Sequence, residues 1–174
     1  TVLPCEASLA RLCDPCAEVS AHYLIDETGE IIRLVAEEMR AWHAGAGSWR
    51  GEADVNSRSI GIELVNDGAS PFPEAQMAAL EGVLSEISSR WAIPPEGVIG
   101  HSDMAPGRKD DPGPLFDWRR LAAAGLSVWP EPADPGDFRA DAMAFGYPDV
   151  ADDLLLAAVR LRFRPGAEGP LADT

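Results

Sequence analysis

The sequence predicts an α/β fold with a central mixed β-sheet flanked by helices. Three observations indicate this class. Short apolar runs typical of strands alternate with amphipathic helical segments, one pair of runs is joined by a tight turn, and other runs are joined by long connections. A tight turn gives antiparallel pairing and a long connection permits parallel pairing, so we expect a mixed sheet. The length of 174 residues fits one domain with a small addition.

The first third of the chain predicts a helix, a hairpin and a long loop. Residues 5–13 place apolar groups at helical spacing. Apolar runs on both sides of a Thr-Gly pair at 28–29 predict strands near 22–26 and 30–35. The following segment, 41–57, is rich in Gly, polar residues and Trp. A loop of this length within a compact domain is either functional or disordered, and its two tryptophans argue against disorder.

The central part of the chain predicts two more strands and two more helices. Residues 59–66 alternate apolar and other residues, as a half-buried strand does. A proline opens an amphipathic helix over 73–91. Residues 97–101 are interpreted as a short buried strand, and a loop rich in Pro and Gly leads from it to a short helix near 117–124.

The composition predicts three sections and excludes several kinds of partner. We expect a main domain over 1–130, a linker rich in Pro and Asp over 131–140, and a partial helical domain over 141–174. The formal net charge of −15 argues against nucleic acid and against an anionic membrane surface. No apolar run approaches the ~18 residues of a membrane-spanning helix.

The three cysteines are interpreted as incidental thiols. Cys13 and Cys16 have the CxxC spacing, and Cys5 lies nearby. A structural zinc site usually needs two such pairs, and a redox motif needs a preceding strand. The sequence provides neither.

His101, Asp111 and Glu63 are the strongest candidates for chemistry. A loop between His101 and Asp111 can bring imidazole and carboxylate together, and both groups are zinc ligands. The alternative is a structural histidine followed by a turn at Asp111. Glu63 lies in an apolar strand, where it serves either as a general base facing a cleft or as a solvent-facing side chain. His22 and His43, taken alone, are more typical of structural histidines.

Four motifs in order resemble the zinc-dependent N-acetylmuramoyl-L-alanine amidases of the AmpD/AmiD type. They are VSAHYLIDETGEI, RAWHAG, SIGIELVN and GHSDMAPGRKDDPGPLFDW. The resemblance covers residues 5–130 and extends to phage lysozyme-type amidases and peptidoglycan recognition proteins. It implies a mixed sheet with helices on both faces. It also implies hydrolysis of the amide joining N-acetylmuramic acid to L-alanine in peptidoglycan or muropeptides.

The resemblance implies roles for individual residues and a Zn²⁺ cofactor. His101 and Asp111 match the second and third zinc ligands, Glu63 matches the catalytic acid/base, and Lys109, the only lysine, matches the lysine that approaches the scissile carbonyl. Candidates for gripping glycan or peptide lie on or beside the long loop: Trp42, His43 and Asn56.

The first zinc ligand of the resembling family has no counterpart in this sequence. That ligand is a histidine in a strand before the first helix, so we expect that strand to be missing from the sequence. The alternative is recruitment of His22 or His43 as a third ligand. A second function from another class is a non-catalytic peptidoglycan-binding module.

The tail and the compartment are open to two interpretations. Residues 141–174 resemble the start of a small peptidoglycan-binding domain, which favours the bacterial envelope, whereas unpaired cysteines favour the cytoplasm. We expect a monomer without a transmembrane segment that binds peptidoglycan fragments and no nucleic acid.

Overall fold

The fold is known from a computed structural model that describes residues 1–131, 134 and 136–169. Within these residues there are six α-helices, three strands and three 3₁₀ turns. The helices are α1 Cys5–Cys13, α2 Glu74–Trp91, α3 His101–Met104, α4 Trp118–Ala123, α5 Phe138–Phe145 and α6 Asp152–Phe163. The strands are β1 Tyr23–Ile25, β2 Ile31–Arg33 and β3 Ile62–Leu64, and the 3₁₀ turns are Pro15–Ala17, Val55–Ser57 and Pro95–Gly97.

The sheet has the order β2-β1-β3 and is mixed, which confirms the predicted α/β class. β1 and β2 form the antiparallel hairpin, and β3 pairs with β1 in parallel. The backbone of Thr1 extends the pairing beyond β3, because its amino group bonds to the carbonyl of Leu64 at 2.6 Å and its own carbonyl accepts from Asn66 N–H at 3.0 Å. Strand β3 is therefore flanked on both sides.

The strand predicted over 97–101 is wrong. Gly97 ends a 3₁₀ turn, Val98 and Gly100 are extended, and His101 begins α3 instead of ending a strand. The physical reason is visible at Val98, whose carbonyl accepts from the Arg162 guanidinium at 3.2 Å. A side chain from a distant helix thus supplies the hydrogen bond that a neighbouring strand would supply.

The core lies between the sheet and helices α2 and α4. The apolar positions of α2 recur at helical spacing and face β1, together with Phe116, Trp118 and Leu121. Gln76 is fully buried on the same face, and its amide donates to the carbonyls of Ile25 and Val65 at 3.0 and 2.8 Å. The amide satisfies backbone acceptors at the ends of the parallel strands β1 and β3, so α2 is fixed against both strands.

A carboxylate ties the end of α2 to β1. Glu37 accepts hydrogen bonds from the Tyr23 hydroxyl, from Arg90 at 2.5 and 2.7 Å, and from Trp91 Nε1 at 2.5 Å. Partial burial opposes ionisation of Glu37, but these donors outweigh it and lower the pKa of Glu37 to about 2. Glu37 is therefore ionised in the folded protein well below the pH at which a glutamate in the unfolded chain is protonated.

We expect Glu37→Gln to remove part of the acid dependence of stability. The depressed pKa makes the carboxylate stabilising above the unfolded value near 4.5, and this contribution is lost as the pH falls towards 2. The difference in unfolding free energy between wild type and Glu37→Gln should thus be largest above about pH 5 and shrink in acid. Urea unfolding at several pH values measures it. Glu86→Gln, which removes an exposed partner of the same Arg90, is the control. A difference for Glu37→Gln that does not vary with pH would contradict the assignment.

Helices α5 and α6 pack against the rest of the chain. An aromatic cluster joins Trp49 of the long loop to Phe145 and Tyr147, and Arg50 N–H donates to the Gly146 carbonyl at 2.8 Å. The division into 1–130, 131–140 and 141–174 stays a prediction. Residues 132, 133, 135 and 170–174 of the predicted linker and tail lie outside the described residues. In the described part of the chain, no helix is long and apolar enough to cross a membrane.

Candidate active site

A cleft of about 1060 Å³ runs along β3 between the long loop and the segment that follows α3. Its walls bring together most of the side chains that the sequence predicts for the site: Trp42, His43, Glu63, His101, Lys109 and Asp111. Asn56 lies behind the loop and does not line the cleft. Residues from the middle of the chain and from its long loop thus share one concave surface, as an active site requires.

His101 is held by oxygen atoms on both sides of its ring. It is the first residue of α3, its Nε2 lies 2.7 Å from the Ala44 carbonyl, and its Nδ1 lies 3.1 Å from Asp111 Oδ2. The short contact with the carbonyl assigns a hydrogen to Nε2. Nδ1 then faces the Asp111 carboxylate. A proton or a metal cation can lie between Nδ1 and Oδ2 and bind to both atoms.

Asp111 reaches His101 because the intervening loop folds back on α3. The Asp111 carbonyl accepts from Ser102 N–H at 2.9 Å, and Lys109 N–H donates to the Ala105 carbonyl at 3.1 Å. Burial opposes ionisation of Asp111, but the hydrogen bond from His101 outweighs it, and the charges of His101 and Lys109 add to that effect, so the pKa of Asp111 is lowered. The carboxylate is therefore an anion beside the imidazole, and the ammonium of Lys109 belongs to the same cleft.

Glu63 is presented to the cleft from the middle of β3. Its Cα lies opposite Leu24 in the parallel register, and its side chain keeps 31% of its surface exposed. The N-terminal ammonium of Thr1 is 3.4 Å from Oε2. Rigid backbone pairing with β1 fixes the carboxylate, while its partial exposure leaves it able to exchange protons with molecules in the cleft.

The three residues expected to grip substrate differ in exposure. The Trp42 ring is 55% exposed, and the Arg40 guanidinium lies 4.5 Å from its centre. Asn56 is buried, and its Oδ1 accepts from the backbone N–H groups of His43 and Ala44 at 3.0 and 2.8 Å. Asn56 therefore holds the loop that carries Trp42 and His43, and its oxygen is already engaged.

His43 is a neutral imidazole packed against β3. Its ring lies over Gly61, where an added Cβ would come within 2.3 Å of the ring, and it meets the His22 ring edge-on at a centroid distance of 5.6 Å. Burial and the neighbouring His22 lower the pKa of His43 to about 4. Its Nε2 is buried and has no hydrogen-bond partner within the described structure.

We expect the His43 ring to stay uncharged through the range in which an ordinary histidine titrates. The ring resonances of His43 in an NMR pH titration should move with a midpoint near pH 4. Burial is the leading cause of this depression, and the neighbouring His22 adds to it. A wild-type midpoint near the ordinary value of about 6.5 would contradict this interpretation.

Backbone groups engage both ring nitrogens of His22, so His22 is not free to bind a metal. It is fully buried, its Nδ1 accepts from Gly61 N–H at 2.9 Å, and its Nε2 is 3.0 Å from the Met39 carbonyl. Across residues 1–131, 134 and 136–169, no group of three His, Cys, Asp or Glu side chains is placed to hold a metal ion. The recruitment of His22 or His43 as a third ligand therefore has no support in the geometry.

Two features of the site were not predicted from the sequence. Arg108 Nη2 donates to the Ala44 carbonyl at 2.6 Å and lies 3.3 Å from His101 Nε2, so it braces the same carbonyl as His101. Asp103, two residues after His101, pairs with Arg162 of α6 at 2.6 Å. The position of Asp103, two residues after His101, could have indicated a site residue, whereas no local sequence pattern indicates Arg162.

Comparison with known proteins identifies the family to which this chain belongs. The N-acetylmuramoyl-L-alanine amidase family matches residues 1–114. The N-acetylmuramoyl-L-alanine amidase AmiD of Escherichia coli K12 is 37% identical over 92% of this chain and 71% of its own length. The 1,6-anhydro-N-acetylmuramyl-L-alanine amidase AmpD of Enterobacter cloacae is 42% identical over 60% of this chain, which spans 56% of that relative.

Solved structures give the same result. The Escherichia coli AmiD complex with anhydro-N-acetylmuramic acid-L-Ala-D-γ-Glu-L-Lys superposes with a TM-score of 0.85, covering 95% of this chain and 78% of that one. AmpDh3 of Pseudomonas aeruginosa also gives a TM-score of 0.85, at 33% identity, with 95% and 80% covered. The chain thus belongs to the N-acetylmuramoyl-L-alanine amidase family and is of the AmpD/AmiD type.

Proposed function

We propose that this chain hydrolyses the amide between N-acetylmuramic acid and L-alanine in peptidoglycan fragments or muropeptides. The observation that carries the proposal is the convergence of His101, Asp111, Glu63 and Lys109 on one cleft. Similar proteins support it, since AmiD is solved with a muropeptide substrate and AmpDh3 with an anhydromuramic pentapeptide. We expect the protein to act as a monomer.

We further propose that His101 and Asp111 bind zinc. Two donors, each about 2.1 Å from a tetrahedral zinc ion, lie about 3.4 Å apart. His101 Nδ1 and Asp111 Oδ2 are 3.1 Å apart, so this pair fits two positions of such a site. A catalytic zinc usually has three protein ligands, and no group of three donor side chains occurs among the described residues. Bound zinc supplies polarisation of a carbonyl and a lowered pKa of water.

Glu63 is the proposed acid/base. Hydrolysis needs a group that takes a proton from the attacking water and gives it to the nitrogen of the departing amine. The Glu63 carboxylate faces the cleft from a rigid strand and is partly exposed, which suits both transfers. The C–N bond of the amide breaks, a carboxylate is left on the lactyl group, and L-alanine leaves with a free amine.

Lys109 is proposed to stabilise the negative charge that develops on the carbonyl oxygen. Its ammonium is a compact charge on a mobile stem, which suits an oxyanion better than the planar fork of arginine. The chain holds 13 arginines and this single lysine, so its occurrence beside Asp111 is informative. The exposed ring of Trp42 is proposed to stack on sugar or peptide at the mouth of the cleft.

The zinc proposal predicts a graded metal response. Two ligands bind zinc weakly, so release of peptide amine from a muropeptide should rise with added zinc over a broad range and be removed by a chelator. His101→Gln and Asp111→Asn should abolish the zinc response, whereas Asp110→Asn, next to the site but outside the donor pair, should keep it. Zinc that stays bound at one equivalent through dialysis would contradict weak two-ligand binding. Activity that no chelator affects would contradict zinc dependence.

A further inference from the structure

Asp103 connects the turn before His101 to distant parts of the chain. It is fully buried at the third position of α3, and its Oδ2 accepts from the N–H of Gly100, the residue that precedes His101, at 2.8 Å. The carboxylate therefore closes the first turn of α3 around His101. The backbone of the residue before His101 is thereby tied to the Asp103 carboxylate.

Two side chains from the C-terminal helical region hold Asp103. The Arg162 guanidinium of α6 donates to Oδ2 through Nη1 at 2.6 Å, and the Tyr147 hydroxyl donates to Oδ1 at 2.6 Å. All three groups are almost inaccessible to solvent. The partners lie 59 and 44 residues away in sequence, so α6 and the segment after α5 take part in the architecture around the cleft.

Arg162 also holds the backbone three residues before His101. Its Nη2 donates to the Val98 carbonyl at 3.2 Å and to Ser127 Oγ at 2.9 Å. The guanidinium carbon lies 3.8 Å from the centre of the Trp118 ring. Gly100 is packed so tightly that a Cβ there would come within 2.6 Å of Pro112 and 3.2 Å of Trp118. The peptide segment that delivers His101 is thus confined by one guanidinium, one carboxylate and two rings.

We propose that Arg162 is a positioning residue for the cleft: acting through Asp103 and the Val98 carbonyl, it fixes the turn that aims the His101 imidazole at Asp111. This inference rests on the proposed amidase function for its kinetic consequence. A buried ion pair alone is weak evidence for stabilisation, because desolvation offsets much of the attraction. What favours positioning here is that both backbone contacts fall within the three residues immediately before His101, at Val98 and Gly100.

The consequence for catalysis is geometric. Reacting groups must be held within a fraction of an ångström, and a misplacement of about 1 Å can reduce a rate about 100-fold. Lysine at position 162 keeps the charge but places all its donors on one nitrogen, so it cannot reproduce the fork in which one nitrogen serves Asp103 and the other serves Ser127 and Val98. Phenylalanine at position 147 keeps the ring and removes only the hydroxyl that holds Oδ1.

The test compares Arg162→Lys and Tyr147→Phe with Arg139→Met. Arg139 of α5 pairs with Asp149 and Asp152, so its loss weakens the same C-terminal region without touching Asp103. Each folded variant is assayed for kcat and KM on a muropeptide with zinc added. Each is also examined by NMR of the imidazole resonances at one pH without metal, with His22 as internal reference because backbone groups engage both its nitrogens.

The proposal expects a fall in kcat of about 10–100-fold for Arg162→Lys, with a smaller fall for Tyr147→Phe and little change in KM. It expects displaced His101 resonances in both variants, unmoved His22 resonances, and wild-type behaviour for Arg139→Met. Unchanged His101 resonances in folded Tyr147→Phe overturn it, as does an equal effect of Arg139→Met. If the wild type does not cleave muropeptides, the proposed function fails, and the NMR comparison still decides the positioning role.

Discussion

Replacing Glu63 by glutamine is expected to reduce amide hydrolysis at least about 100-fold while leaving the fold intact. The reason is that general acid–base catalysis by a positioned carboxylate contributes roughly 100- to 10,000-fold, and glutamine cannot accept and return the proton. The backbone pairing of β3 with β1 does not involve this side chain, so the strand should be preserved. The measurement is kcat and KM on a muropeptide with zinc added, accompanied by a thermal melt.

Glu52→Gln is the matched control for this substitution. Glu52 lines the same cleft, but its carboxylate forms an exposed pair with Arg58 at 3.1 Å and does not lie on β3. The expected result is near wild-type kcat for Glu52→Gln and an unchanged KM for Glu63→Gln, since the proton transfer belongs to the chemical step. Retained kcat in Glu63→Gln would refute its role as the acid/base.

The largest expected effect on stability is that of Arg162→Met. It leaves the Asp103 carboxylate, which has no solvent exposure, without its cationic partner. Breaking a buried pair in this way costs about 3–5 kcal/mol. For a chain of this size the cost corresponds to a drop in Tm of about 6–20 °C. Arg139→Met removes exposed ion pairs and should cost much less than Arg162→Met.

A double variant separates lost charge pairing from lost packing. Asp103→Asn with Arg162→Met removes both charges; the amide oxygen can still accept from Gly100 N–H while the amide NH2 faces the Tyr147 oxygen. It should therefore be more stable than Arg162→Met alone, because no uncompensated charge is left buried. Denaturant unfolding of the two single variants and the double variant measures the coupling. Equal losses for Arg162→Met and Arg139→Met would contradict the assignment of a buried ion pair.

Local patterns predicted much of the fold because the chain carries clear local signals. Helical spacing over 73–91 and a Thr-Gly turn at 28–29 each predict an element that the structure confirms as α2 and as the β1–β2 hairpin. The segment 97–101 failed because an apolar run does not reveal whether a strand lies beside it. Its backbone is instead satisfied by Arg162, a contact across 64 residues that no local pattern encodes.

Part of the candidate site was also predictable from the sequence. The spacing allowed His101 to meet Asp111 and the family resemblance implied that it does, and the structure places the two side chains 3.1 Å apart. The roles of the site residues stay predictions. Asn56 shows why residue type alone is insufficient, since a polar residue beside a loop binds either a ligand or the loop's own backbone. Only the folded geometry distinguishes the two.

The most direct test of amide hydrolysis is mass spectrometry of a muropeptide incubated with the protein and zinc in water enriched in heavy oxygen. The account predicts two products, a peptide with a free L-alanine amine and a muramic acid whose lactyl carboxylate carries the heavy oxygen. Cleavage within the peptide, cleavage between sugars, or an intact substrate under conditions in which the folded protein binds zinc would contradict it.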